Sequence, residues 1–292
     1  MTALSEQQPP RAIGAFRRRR RRRRPPLLIL ICIAIVGLVV ICAVTGTLLA
    51  PHDPDLQDLG SSLQGPSASH LLGTDDSGRD ILSRIVAGAR SGFVGPLVVV
   101  IGAATIGTTL GLIAGYRGGW RDTLIMRTAD LVFALPGLLV AIVVLGVLGG
   151  GYWTAVAVLT VLIAPSDTRI VRGAALAQRE LPYVDAARTL GLSRRRIMFR
   201  HIFPNLLPLI VANAFLNFAQ SLVALSALSF LGLGVSPGEA DWGRMLSDNL
   251  QLIEDNPLAA LAAGAALVVT ATSMNLLGDW MYERLSDRGR AR

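Results

Sequence analysis

The sequence predicts an all-α polytopic membrane protein with six transmembrane helices, and three observations carry that prediction. Only 16% of the 292 residues are charged, against about 25% in a soluble domain, while 52% are hydrophobic. The apolar residues come in blocks: Leu27 to Leu49 holds no charge over 23 residues, where a bilayer core takes about 20 helical residues. Threading six such blocks in alternate directions puts 24 arginines and nine acids on one side, and four arginines and eleven acids on the other, a split of +15 against −7. The positive-inside rule makes the Arg-rich side cytoplasmic and places both termini there. The pI near 10.8 is therefore a topology signal rather than a nucleic-acid footprint.

Residues 1–26 contain Arg17 to Arg24, eight arginines in a row, and nothing that could form a core. Such a tract before an apolar segment resembles a signal peptide, but 23 apolar residues exceed a 7–15 residue h-region, so a retained signal anchor is expected. A membrane domain over 27–283 then counts out as helices near 27–49, 93–115, 128–148, 152–165, 205–233 and 257–282. The segments near 51–90 and 234–256 are assigned outside, 166–204 inside, and 284–292 forms a cytoplasmic tail. Two external stretches read as short helices. Ile81, Leu82, Ile85, Val86 and Ala89 recur at helical spacing over Arg79 to Arg90, predicting an amphipathic helix at the outer interface. Met245 to Ile253 reads as another.

Every one of the 28 basic residues is Arg. A P-loop needs a Lys among the phosphates, so this chain is no P-loop ATPase. Cys32 and Cys42 lie ten residues apart on one helix, about 15 Å, beyond the Cα separation of about 7 Å that a disulfide allows. His52, His70 and His201 show no metal-ligand spacing, so no metal and no catalytic site is expected. Asp75, Asp76 and Asp80 could form a cation site, yet Gly73-Thr74-Asp75 and Ser77-Gly78 read better as Asx-type turns leading into a helix. Asp130, Asp167 and Asp279 are placed near cytoplasmic helix ends, where ion pairs with residues such as Arg127 and Arg169 are expected. Asn213, Asn217 and Ser221, with Gln220 beside them, share one face of the fifth helix. That face either bonds neighbouring helices or lines a watery path.

The segment between the fourth and fifth spans is the most specific. Pro182 starts a short helix, Gly191 stops it as the C′ residue, and Ser193 caps a second one. The result is a compact knob rather than a bare basic loop. Asp185-Ala186-Ala187 with Gly191 resembles the "EAA" loop of bacterial ABC import permeases. His70 to Gly92, "HLLGTDDSGRDILSRIVAGARSG", and Leu228 to Leu246, "LSFLGLGVSPGEADWGRML", resemble signatures of the dipeptide/oligopeptide/nickel permease group. The similarity covers nearly everything after residue 24. Asp185 replaces the usual Glu, Phe203 the usual Leu before Pro204, and Ser236 to Glu239 a more Pro-rich stretch.

The resemblance implies a type I ABC importer permease (MetI-like) fold in the bacterial inner membrane, moving di- or oligopeptides by alternating access. Nickel, glutathione or another small solute fits the same signatures. Asp185, Ala186, Ala187, Arg188 and Gly191 would couple to the ATPases. Asn213, Asn217, Gln220 and Ser221 would line the path, and Asp75, Arg79, Asp80 and Trp242 would face the binding protein. Implied partners are a homologous second permease, two cytoplasmic ATPases that use ATP and Mg, an external substrate-binding protein, and the bilayer. The chain itself would bind no cofactor and catalyse no bond chemistry. An ion-coupled secondary transporter is the rival class, but no inverted repeat is visible.

Overall fold

The computed structural model describes residues 26–254 and 256–289, so the Arg17–Arg24 tract lies outside the described residues. Ten helices follow in order: α1 Leu27–Thr45, α2 Ile81–Arg117, α3 Gly119–Phe133, α4 Gly137–Leu148, α5 Tyr152–Arg179, α6 Pro182–Thr189, α7 Arg194–Ile197, α8 Phe203–Phe230, α9 Trp242–Asp248 and α10 Pro257–Gly289. Among the described residues, five continuous stretches are long and apolar enough to cross a bilayer. The pair α3–α4, bent by 80°, makes a sixth if read as one broken span.

Three expectations change. The Arg79–Arg90 helix does not lie alone at an interface; it is the first part of α2, which runs unbroken for 37 residues. Its apolar face is claimed by protein: Ile81 and Ala89 pack with Trp242, Phe218 and Met245. The fourth span does not stop at Pro165, because α5 continues to Arg179. Pro is tolerated inside membrane helices, where neighbours resatisfy the freed carbonyl. The third span is broken near Ala134 to Pro136: Pro disfavours helix in the residue before it, and α4 restarts behind Pro136.

The bundle is knit most closely where α2 meets α5. Gly107, Gly111 and Gly115 recur every four residues and bring the two backbones together. A Cβ on Gly111 would lie 2.7 Å from the Thr168 carbonyl oxygen, and one on Gly115 2.7 Å from that of Arg172. Small residues at such spacing are how membrane helices gain dispersion contact without a hydrophobic driving force. Around this seam, Val99, Ala141, Leu145, Ala155, Leu159 and Leu225 form one apolar cluster. A second, at one end of the bundle, joins Leu112 and Tyr116 of α2, Val171 and Ala175 of α5, and Val184, Ala187, Ile197 and Ile202 beyond it.

At the opposite end, residues 46–80 and 231–254 form a cap. It has little regular structure; an isolated bridge pairs Thr74 with Asp80. Polar side chains hold it instead. Arg84, 1% exposed, donates to the carbonyls of Pro54 (3.2 Å), Gly238 (3.2 Å) and Glu239 (3.3 Å), tying both cap segments to α2.

Candidate functional site

The knob is built as local sequence rules require. Pro182 occupies the first turn of α6, where its missing N–H costs nothing. Gly191 adopts φ +73°, donates to the Arg188 carbonyl at 2.9 Å, and is followed by Leu192 donating to Ala187 at 3.2 Å. This is the Schellman pair that closes a helix C-terminus. Ser193 then caps α7, its hydroxyl accepting from the Arg196 N–H at 3.4 Å. A π-helical turn, Met198–Ile202, carries the chain into α8.

The knob has two faces. Val184 and Ala187, 0% and 6% exposed, press into the cluster with Tyr116 and Val171. Ala187 therefore seats the knob and presents little surface. Asp185, Ala186, Arg188, Thr189 and Gly191 are exposed, with Asp185 and Arg188 paired at 3.0 Å. Leu190, which the sequence reading passed over, is 79% exposed at the tip. An apolar tip on a rigid turn is what an uncharged groove on a partner would take up. Beside it, Arg117, Arg179, Arg188 and Arg194 with Glu180 line a cleft of about 470 Å³.

The polar face of α8 has a definite partner. Asn213 and Asn217 both donate to Asp167 Oδ1, at 2.6 and 2.7 Å. Asp167 is 3% exposed and Asn217 5%. The expected ion pair of Asp167 with an Arg is thus replaced by two amides, because α5 runs further than expected and carries Asp167 into the middle of the bundle. Among the described residues, Asp167 Oδ2 and Ser221 Oγ have no hydrogen-bond partner. Gln220 is exposed and stands apart from this group. Asp130 does pair with Arg169, at 2.7 Å.

The four residues expected to face a binding protein are buried: Asp75 2%, Arg79 6%, Asp80 4% and Trp242 2% exposed. As a direct contact surface that assignment is corrected; these side chains form the frame of the cap. Asp75 accepts from the N–H groups of Ser77 and Arg79 and from Arg79 Nε at 2.7 Å, the Asx-turn chemistry expected. Trp242 lies over Gly88 and Gly92 and donates its indole N–H to the Ile85 carbonyl at 2.9 Å. Asp80 caps α2 by accepting from the Ser83 N–H at 2.8 Å and hydroxyl at 2.6 Å. Burial opposes ionisation of Asp80, but the hydrogen bonds from Ser83 and His70 outweigh it and hold its carboxyl below the ordinary carboxylate range. His52 and His70 stand beside this carboxylate, a juxtaposition that sequence spacing does not reveal.

Apolar spans, a polar centre between helices, a projecting knob and a hydrogen-bonded cap define a polytopic integral-membrane protein. Residues 107–290 match the family described as binding-protein-dependent transport system inner membrane component. The chain is 39% identical over 261 residues to the dipeptide transport system permease protein DppC of Alkalihalophilus pseudofirmus, covering 88% of this chain and 86% of that one. It is 37% identical over 252 residues to the glutathione transport system permease protein GsiD of Pectobacterium atrosepticum (86% and 84%). It is 34% identical over 254 residues to the probable D,D-dipeptide transport system permease protein DdpC of Escherichia coli (87% and 85%). A solved chain of the MetNI methionine ABC transporter, in an inward-facing conformation, superposes with a TM-score of 0.58 at 17% identity, over 70% of this chain and 97% of that one. That likeness shows the MetI-like fold of a type I ABC importer permease. The chain belongs to the binding-protein-dependent permease family: it is a multi-pass inner-membrane subunit of an ABC importer, working with ATPase and substrate-binding partners, and is not an enzyme.

Proposed function

We propose that this permease imports short peptides, dipeptides foremost. The observation that carries this is the substrate chemistry in the names of its relatives: dipeptide, glutathione and D,D-dipeptide, in proteins matched over more than four-fifths of their length. On this reading a homologous second permease completes the pathway, and two ATPases, using ATP and Mg, dock at the knob. The knob end is cytoplasmic, as are both termini, and the cap is external. Asp185, Ala186, Arg188, Thr189 and Leu190 form the ATPase-facing surface, while Ala187 and Gly191 fix its shape.

ATP-driven closure of the ATPases would push this surface, and the shared cluster of Val184, Ala187, Tyr116 and Val171 would pass the push to α2 and α5. The Asp167–Asn213–Asn217 group borders the path: an acid and two amides suit the ammonium and amide groups of a peptide backbone. Uptake competition in the reconstituted importer tests the substrate. Unlabelled dipeptides should displace a labelled dipeptide better than nickel or longer peptides; inhibition by nickel with none by dipeptides refutes the peptide reading. A cysteine placed at Leu190 should react with an impermeant thiol reagent only from the cytoplasmic side.

A further inference from the structure

We propose that the cap holds a divalent transition-metal site formed by His52, His70 and Asp80. One ligand-capable atom from each of the three residues lies within 4.8 Å of those of the other two. His70 Nδ1 is 3.0 Å from Asp80 Oδ1, and His52 Nδ1 is 3.8 Å from Asp80 Oδ2. Around a tetrahedral zinc with bonds near 2.0–2.1 Å, ligand atoms stand about 3.3 Å apart. His70 already stands near that value from Oδ1, while His52 stands nearer to Oδ2. With the three ligand atoms within 4.8 Å of one another, closing the site takes a swing of the 42%-exposed His52 ring by about 1–1.5 Å toward Oδ1 and His70.

A structural Asp–His hydrogen bond accounts for His70 but not for His52. The second imidazole is too far from the carboxylate to bond it, yet its ring centroid is 4.9 Å from that of His70. Two neutral imidazoles and one carboxylate on a common centre form a ligand set for zinc, nickel or copper, not for magnesium or calcium. The support around them is also that of a metal site. Asp80 Oδ2 is fixed by Ser83, which leaves Oδ1 oriented toward His70. The Ser83 hydroxyl in turn accepts from the His52 backbone N–H at 3.0 Å, and the Ser67 hydroxyl from that of His70 at 3.0 Å. Such outer contacts aim ligands. Side-chain exposure is 42% for His52, 19% for His70 and 3% for Asp80, so the fourth position opens to solvent. Metal there would join the irregular segment that follows α1, the loop at residue 70 and the start of α2.

The test is zinc retention by the full-length chain, alone or in its importer, after chelator treatment and re-addition of zinc alone. It reads binding, not uptake, so it stands apart from the peptide assignment. Wild type should retain one zinc per chain; His52→Asn and His70→Asn should each lose it, and Ser83→Ala should weaken affinity about 10–100-fold. His201→Asn, remote in sequence and at the other end of the bundle, should bind as wild type does. Nickel should compete and millimolar magnesium should not. Added zinc should also slow proteolysis of segment 51–80 in wild type but not in His70→Asn, which separates loss of ligands from loss of fold. Wild type retaining no zinc, equal retention by the His52→Asn/His70→Asn double variant, or displacement by magnesium overturns the proposal.

Discussion

Gly111→Ala adds one methyl group at the seam between α2 and α5, and its cost can be worked from the contacts there. The new Cβ would stand 2.7 Å from the Thr168 carbonyl oxygen, 2.8 Å from Val171 Cβ and 3.0 Å from the Arg172 nitrogen. Two of these are backbone atoms of a helix, so no rotamer change relieves them. Ordinary contact needs about 3.5 Å, so the helices must part locally by nearly 1 Å. A gap of that size forfeits about a quarter to a half of the dispersion energy of the atoms it separates, and overpacking of this kind costs about 1–3 kcal/mol. The assay is thermal unfolding of the purified chain in detergent, paired with ATP-driven uptake. Gly173→Ala is the internal control: it lies on α5 with nothing within 4 Å of the added carbon, and should be neutral or stabilising by up to about 1 kcal/mol on helix propensity. Gly111→Ala with unchanged unfolding and uptake, or with no greater effect than Gly173→Ala, refutes the seam.

Other consequences are equally open to measurement. Leu190→Glu should leave membrane yield and unfolding unchanged while uncoupling ATP hydrolysis from uptake; Ala187→Glu should lower stability as well, because it charges the buried face. Gly191→Pro should abolish uptake in a protein that still inserts, and wild-type transport by that variant removes the coupling role. Asn217→Leu strips Asp167 of one of two donors and should cost about 1–3 kcal/mol, read as a lowered unfolding midpoint, with reduced uptake if the group borders the path. Arg84→Met breaks a buried pair with Asp75 and orphans three carbonyls. A loss of about 3 kcal/mol should appear as faster proteolysis between residues 51 and 80.

What the sequence revealed and what it hid divide along contact range. The knob was legible because Pro182, Gly191 and Ser193 act within a turn or two of themselves. The Asx turns at Asp75 were legible for the same reason. Spans were legible as unbroken apolar length. Pro165 misled because a breaker in water is tolerated in a bundle, and from that error followed the misplacement of Asp167 toward a helix end. The amides that hold it lie 46 and 50 residues further on, with no local trace of the pairing. The break near Pro136 was masked by apolar residues continuing on both sides. Burial of Asp75, Arg79, Asp80 and Trp242 could not be read from polarity alone, since polar residues in an external loop ordinarily face water. The histidines approach Asp80 from 28 and 10 residues away along irregular chain, where no periodicity operates.

The 37 residues of α2 make one continuous helix of about 55 Å, longer than any bilayer core requires. Its last turns belong to the cluster that seats the knob, through Leu112 and Tyr116, and its first turn is locked into the cap through Arg84 and the Asp80 N-terminus. The helix is thus a connecting rod between the two faces of the membrane. With α5 clamped along it, a tilt started at one end is carried toward the other through a helix whose internal proline is Pro96. If the rod pivots at Pro96, about 22 Å from its cap end and 32 Å from its knob end, a stroke at the knob emerges at the cap at about two-thirds its size and in the opposite direction. Continuity along this single element, rather than any relay of side chains, is then what makes the cap a mechanical readout of events at the knob.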